Sequence, residues 1–147
     1  MVNKISMRLM FIGIIVVFSM LGCQTYYIPV NNFKEQFKNI DSTKLFLTNV
    51  VGPLGSRYTY YRNPIKIIKC FDKENNPIDL PNSPSIEIRF TDKDNNRTIF
   101  YFDTIYMQDS LIYGTQSRFI TSIKDILYIP DIILIEVQDG HKDFQYY

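Results

Sequence analysis

The chain has 147 residues and a formal net charge of +1, with 46% hydrophobic residues, 11 Tyr and 11 Phe but no Trp. This length suffices for one modest domain and excludes two domains with separate cores. A near-neutral chain without a basic stripe is not typical of a nucleic-acid-binding protein, and the high aromatic content excludes a disordered one.

The N-terminal 22 residues have the pattern of a signal peptide. Lys4 and Arg8 supply a short positive region, and an apolar run from residue 9 to 22 follows them. A membrane-spanning helix needs about 20 apolar residues, whereas a run of roughly 10–14 is typical of the hydrophobic region of a cleaved signal. We therefore expect residues 1–22 to be removed.

A cysteine follows that run directly, in the sequence Leu21-Gly22-Cys23. This resembles the lipobox of bacterial lipoproteins, although Met20 stands where Leu is commonest. In such proteins the cysteine thiol is joined to diacylglycerol, and the signal is cut before the cysteine. The new amino group is often acylated as well, and two or more chains such as palmitate give stable anchoring. The resemblance implies that Cys23 is the lipidated first residue of the mature protein.

The residue after the cysteine bears on the destination of the protein. In enteric bacteria an Asp at this position retains a lipoprotein in the inner membrane, and Gln24 does not match that signal. The resemblance therefore favours the outer membrane, with the protein facing the periplasm. We expect a signal peptide at residues 1–22, a tether at 23–32 and a single β-rich domain at 33–147.

The first half of the domain contains one helical pattern. Phe33, Phe37 and Ile40 recur at helical spacing, which predicts a helix over residues 33–40, capped by Asn31 or Asn32. The segments KLFLTNVV, RYTYY and PIKIIKCF then have the composition of strands. Turn residues in GPLGS, DKENNP and LPNSPS predict breaks between elements.

From Ser85 onward the pattern is that of strands joined by short turns. SIEIRF alternates apolar and charged residues, and RTIFYFDTIYM predicts one long central strand. LIYGTQ, with a bend at Gly114, ILYIP and IILIEVQ predict three more. Asp139-Gly140 is typical of a type I′ hairpin turn that would return HKDFQYY as the last strand.

These elements predict an α+β, mostly β fold. We expect a short N-terminal helix and a small antiparallel β-roll or barrel, with five or six strands in the C-terminal half. The lipobox together with IEIRFTDKDNNRTIFYFDTIY, LIYGTQSRF and IEVQDGHKDFQYY resembles short uncharacterised lipoproteins of Bacteroides-like bacteria. This resemblance implies an envelope location and no particular activity.

The same bacteria O-glycosylate an Asp-Ser/Thr-apolar sequence. Asp41-Ser42-Thr43 and Asp109-Ser110-Leu111 are similar to it. Ser42 and Ser110 are therefore candidate O-glycosylation sites, and Ser110, in a predicted turn, is the better exposed of the two.

Residues capable of metal or acid–base chemistry are sparse. Asp92-x-Asp94-x-Asn96 begins like a calcium loop, but Arg97 occupies the place where that loop requires glycine, so we predict a polar turn. His141 is the single histidine, too few for a zinc site. Cys70 has no internal disulfide partner once Cys23 is lipidated, and we expect it to be a buried strand residue. We predict no metal and no cofactor.

Two classes of function remain. The first is a non-catalytic binding or assembly module that meets an envelope protein or a glycan. Its candidate binding surface contains Tyr113, Arg118 and His141, with further aromatic residues at 58–61 and 146–147.

The alternative class is a small periplasmic hydrolase or ligand carrier. A protein of this class requires a concave pocket with converging polar groups. A pocket that groups Asp103, Arg118 and His141 would favour this alternative over the first class.

Overall fold

The computed structural model describes residues 24–120 and 122–147. The signal peptide and Cys23 lie outside the described residues. The elements are one α-helix, α1 (Val30–Phe37), and the strands β1 (Thr25–Tyr27), β2 (Phe46–Val51), β3 (Arg57–Arg62), β4 (Ile67–Phe71), β5 (Pro77–Pro81), β6 (Ile86–Asp92), β7 (Arg97–Tyr101), β8 (Tyr106–Gln108), β9 (Leu111–Thr115), β10 (Lys124–Tyr128), β11 (Ile132–Asp139) and β12 (Gln145–Tyr146).

The strands form three sheets in which every pairing is antiparallel. The large sheet has the order β5-β4-β1-β11-β6-β7, and the two small sheets have the orders β10-β9-β8 and β12-β2-β3. The α+β, mostly β prediction is confirmed. None of the three sheets closes into a barrel over the described residues.

The main core lies on one face of the large sheet. Helix α1 buries Phe33 and Phe37 completely against this face, where they stack on each other and contact Phe90 and Phe102. Burying an aromatic or aliphatic side chain of this size contributes about 1.5–3 kcal/mol. A smaller core of Val50, Tyr60 and Phe144 belongs to the sheet β12-β2-β3.

The predicted boundary between tether and domain is wrong, because the domain begins earlier. Strand β1 pairs with β11 on one side and β4 on the other, so it lies inside the large sheet. Ile28 is buried, and its N–H donates to the carbonyl of Ile135 at 3.0 Å. Helix α1 begins three residues before the predicted start, after Pro29, and has no side-chain cap from Asn31 or Asn32. Its amphipathic face is the predicted one.

The predicted long central strand is interrupted. A turn of 3-10 helix at Phe102–Thr104 separates β7 from β8, and β7 lies at the edge of the large sheet. The sequence predicts Pro77 as the end of a turn and Pro81 as part of a loop, but both prolines lie in strand β5. An edge strand tolerates proline, since the missing N–H faces away from its neighbour.

The predicted Asp139-Gly140 hairpin does not form. Strand β11 already pairs with β1 and β6, so neither of its edges can accept a returning strand. Strand β12 pairs with β2 instead. The Asp139 carboxylate accepts hydrogen bonds from the N–H of His141 and the hydroxyl of Ser85, and Gly140 donates to the Ser85 carbonyl.

The helical content of the described chain is limited to α1 and short 3-10 turns. No helix in residues 24–120 or 122–147 is both long and apolar enough to cross a membrane.

Candidate functional site

A cleft of about 390 Å³ opens between the sheet β10-β9-β8 and strands β2 and β3. Five tyrosines line it, and we call it the tyrosine cleft: Tyr60, Tyr61, Tyr101, Tyr106 and Tyr113. Small-molecule and peptide sites in proteins are commonly clefts of this volume with mostly apolar and aromatic walls and a few polar groups.

One wall of the cleft is the outer face of the sheet β10-β9-β8. The register places Tyr106, Tyr113 and Ile126 opposite one another in a row across the three strands. The rings of Tyr106 and Tyr113 stack with centroids 4.8 Å apart and planes within 4° of parallel. Burial, aided by the neighbouring Tyr113, raises the pKa of Tyr106. This wall therefore presents a flat aromatic surface flanked by an aliphatic side chain.

The opposite wall is built by β2 and β3. Thr59, Tyr60 and Tyr61 of β3 contribute to it together with Leu47 of β2. Side chains of a strand alternate between its two faces, so a cavity over one face touches every second residue. Three consecutive lining residues place the backbone edge of β3 at the cleft.

The base of the cleft contains a buried ion pair. Arg118 Nη2 donates to Asp103 Oδ1 at 2.7 Å, and both side chains are at most 1% exposed. The Nε and Nη2 groups of Arg118 also donate to the carbonyl of Pro84, at 2.9 and 2.6 Å. The guanidinium carbon lies 4.0 Å from the ring centroid of Tyr101 and 4.6 Å from that of Tyr60. Cation–π contacts and hydrogen bonds together hold Arg118 in one position.

The second oxygen of the same carboxylate binds two tyrosine hydroxyls. Tyr60 and Tyr146 donate to Asp103 Oδ2 at 2.5 and 2.7 Å. Burial, followed by the negative charge of Asp103, raises the pKa of both phenols well above their ordinary value. Both phenols therefore stay protonated and serve as donors, and Asp103 connects β3, β12 and the loop that carries Arg118.

Two charged residues line the mouth of the cleft on β10. Lys124 is exposed and forms no ion pair with any described residue, whereas the carboxylate of Asp125 accepts the N–H of Ile126 at 2.8 Å. The exposed side chains of Lys124 and Asp125 therefore place one charge of each sign at the mouth.

Asp103 is poorly placed to act as an acid or a base. Asp103 is fully buried, and both of its oxygens accept hydrogen bonds from the side chains of Arg118, Tyr60 and Tyr146, so a substrate proton cannot reach the carboxylate. No cluster of three metal-ligating side chains occurs in the described part of the chain.

The structure brings together two of the three residues predicted for the binding surface. Tyr113 and Arg118 both line the tyrosine cleft, and Asp103 lies directly behind Arg118. His141 does not line it: its side chain is 72% exposed beside Asp139. The tyrosine cleft therefore contains Arg118 and adjoins Asp103. It lacks His141, the third residue expected in a hydrolase or carrier pocket.

The remaining predicted residues lie away from the cleft. Ser42 and Ser110 are exposed in a 3-10 turn and a β-turn. Cys70 is buried in β4, where burial raises the pKa of its thiol to about 11, so the reactive thiolate is scarce at neutral pH. Asp92 caps a polar turn between β6 and β7, accepting the N–H groups of Asp94 and Asn96.

Sequence reasoning found part of the cleft and missed the rest. The segment 58–61 carried an aromatic signal, and its Tyr60 and Tyr61 line the cleft. Tyr101 and Tyr106 looked like ordinary residues of one long strand. Lys124 and Ile126 gave no signal, because their position at the cleft depends on the pairing of β10 with β9.

Comparison with known families, characterised proteins and solved structures gives no further guidance. No family model matches the chain, and neither a curated protein nor a solved structure matches it. The argument for function therefore rests on the cleft and on the N-terminal sequence.

Proposed function

We propose that this protein is a lipid-anchored, non-catalytic binding module of the bacterial cell envelope, which holds an envelope protein or a glycan in the tyrosine cleft. The observation that carries the proposal is the cleft itself, about 390 Å³ in volume and walled by five tyrosines. Tyrosine is enriched in binding surfaces because it offers a large apolar contact and a polar hydroxyl at little cost in conformational entropy.

The proposed location rests on the lipobox-like sequence before Cys23 and on Gln24 after it. Two or more acyl chains on Cys23 would anchor the protein at the periplasmic face of the outer membrane. The cleft would then be presented to other components of the envelope.

The ligand-carrier alternative shares the same cleft and differs only in its occupant. A carrier would enclose a free small molecule, whereas a binding module holds part of a larger partner. The exposed apolar side chains at the mouth, Leu47, Tyr61 and Ile126, favour a partner that extends beyond the cavity. A hydrolase has weaker support, because the oxygens of Asp103 are occupied and His141 lies elsewhere.

Site-specific photocrosslinking in the native envelope tests the proposal. A benzophenone amino acid replaces Ile126 at the mouth of the cleft or, as a matched control, Ile133 on β11; the native side chains are 54% and 59% exposed. We expect a discrete crosslinked product from position 126 and none from position 133. The product should disappear when Tyr113→Ala removes part of the wall.

Benzophenone inserts into C–H bonds of proteins and glycans alike, so protease and glycosidase digestion then identify the class of partner. Equal crosslinking from both positions, or none from position 126, would contradict the proposal. Thermal unfolding of each variant confirms that the domain remains folded.

A further inference from the structure

We infer that the occupant of the tyrosine cleft is an extended polypeptide segment that adds to the open edge of β3 as an extra strand. This inference rests on the proposed function and names the chemistry of the partner. The segment would carry apolar side chains toward the tyrosines and an acidic side chain near Lys124.

The backbone groups of β3 point alternately toward β2 and away from it. Antiparallel pairs alternate between those that exchange backbone hydrogen bonds and those that do not. The Gly52 N–H donates to the Ser56 carbonyl, which fixes this alternation: Tyr58 and Tyr60 bond to β2, and Arg57, Thr59 and Tyr61 direct their N–H and C=O groups away from it. The outward bond from the Asn63 N–H to the Asp103 carbonyl, at 2.7 Å, agrees with this phase.

Thr59 and Tyr61 line the cleft, and their outward N–H and C=O groups have no hydrogen-bond partner among the described residues. An unpaired row of backbone donors and acceptors is the template on which an added strand binds. Strand β3 has no proline and no bulge, so nothing in its sequence protects this edge.

Strand β10, on the opposite side of the cleft, has no free N–H group at the two residues that face the cleft outward. Its outward N–H groups at Lys124 and Ile126 are already bonded to the Ser122 carbonyl and the Asp125 carboxylate. This strand instead offers the side chains of Lys124 and Ile126 to the added segment.

The other described edges are protected or lack a site. Strand β5 contains two prolines, β12 has two residues, and β8 donates its Met107 N–H to the Ile40 carbonyl. Strand β7 is also open, but only its last residue, Tyr101, lines the tyrosine cleft. An open edge and a sizeable apolar cavity coincide at β3.

Charge complementarity determines the polar part of the partner. Lys124 lines the cleft without an ion pair, and Arg57, at the start of β3, also has none among the described residues. The acidic lining residue, Asp125, accepts one backbone N–H and keeps its charge, so Arg57 and Lys124 together outweigh it by one positive charge. An acidic side chain on the added segment would pair with Lys124.

The test uses the full chain in detergent micelles and a displayed library of random peptides about ten residues long. We expect selection of apolar peptides with an acidic residue, whose binding is lost in Tyr113→Ala. N-methylation along a selected peptide should weaken binding about tenfold at alternate residues only, because alternate N–H groups face β3.

A pair of variants tests the edge of β3 directly. Thr59→Pro removes the outward N–H and also the hydrogen bond from the Thr59 hydroxyl to Asn49. It should abolish peptide binding at the same melting temperature as Thr59→Ala, which loses the same hydroxyl, since the Thr59 N–H makes no bond to β2. Thr59→Ala keeps the N–H and should bind the selected peptides about tenfold or more tightly than Thr59→Pro does. The peptide N-methylation pattern needs no protein variant and decides the question if Thr59→Pro fails to fold.

The possible failures are distinguishable. Selected peptides could require Tyr113, bind Thr59→Pro normally and show no alternating effect of N-methylation. This result would keep the cleft as the binding site and overturn strand addition. A library that yields no cleft-dependent peptide would also overturn strand addition, and crosslinking from position 126 then decides the proposed function separately.

Discussion

Asp103 and Arg118 show what a single residue pair contributes to this domain. Each is almost completely buried and supplies the other's charge partner. A buried ion pair adds little net stability over an apolar pair of the same volume, but removal of one partner leaves an uncompensated charge. The main effect of the pair is therefore to fix the relative positions of β3, β12 and the loop that carries Arg118.

Arg118→Met should lower the free energy of unfolding by about 3–5 kcal/mol, because the Asp103 charge then remains buried with only the two tyrosine donors. The double variant Asp103→Asn/Arg118→Met should recover part of that loss. Urea unfolding of the full chain in detergent measures both effects.

The control is Lys93→Met, which removes a surface ion pair with Asp131 whose side chains are 61% and 39% exposed. This change should cost less than about 1 kcal/mol. Equal losses for Arg118→Met and Lys93→Met would show that the buried pair has no special role.

At the scale of elements, β9 depends on a glycine for its approach to β7. A Cβ atom at Gly114 would lie only 2.4–2.9 Å from atoms of the Phe100 ring, which is fully buried. The sequence suggested a bend at Gly114, whereas the reason for a glycine is close packing between strands of different sheets.

Gly114→Ala should therefore destabilise the domain by about 1–3 kcal/mol through overpacking. Phe100→Leu should destabilise it by leaving unfilled space. If the contact between residues 114 and 100 destabilises Gly114→Ala, the double variant should lose less free energy of unfolding than the two single variants lose together. Strict additivity in urea unfolding would contradict this explanation.

For the other elements, the local sequence pattern predicted the structure in some cases and failed in others. The alternation in SIEIRF identified β6 correctly, since one of its faces is buried in the main core. The apolar run RTIFYFDTIYM gave no sign of its break at Asp103, because the break is stabilised by Arg118 and two tyrosines from distant parts of the chain. The Asp139-Gly140 signal failed because β11 had no free edge.

At the scale of the whole molecule, the proposal joins a lipid anchor at Cys23 to a cleft built by two small sheets. The anchor is tested by growing the bacterium with an alkyne fatty acid. We expect the label on the wild-type protein and on Cys70→Ala, the matched control, and its loss in Cys23→Ala together with loss of membrane association. Label that persists in Cys23→Ala would contradict lipidation at this cysteine.

The sequence by itself determined the β-rich class, most of the strands and the helical face of α1. These features depend on local composition and periodicity, which a short window of residues contains. Only the tertiary structure decided which strands pair, that β1 lies inside the large sheet, and that Tyr60, Tyr113 and Arg118 meet at one cleft. Strand pairing depends on which edges remain free after the other strands have paired, so no single segment of the sequence specifies it.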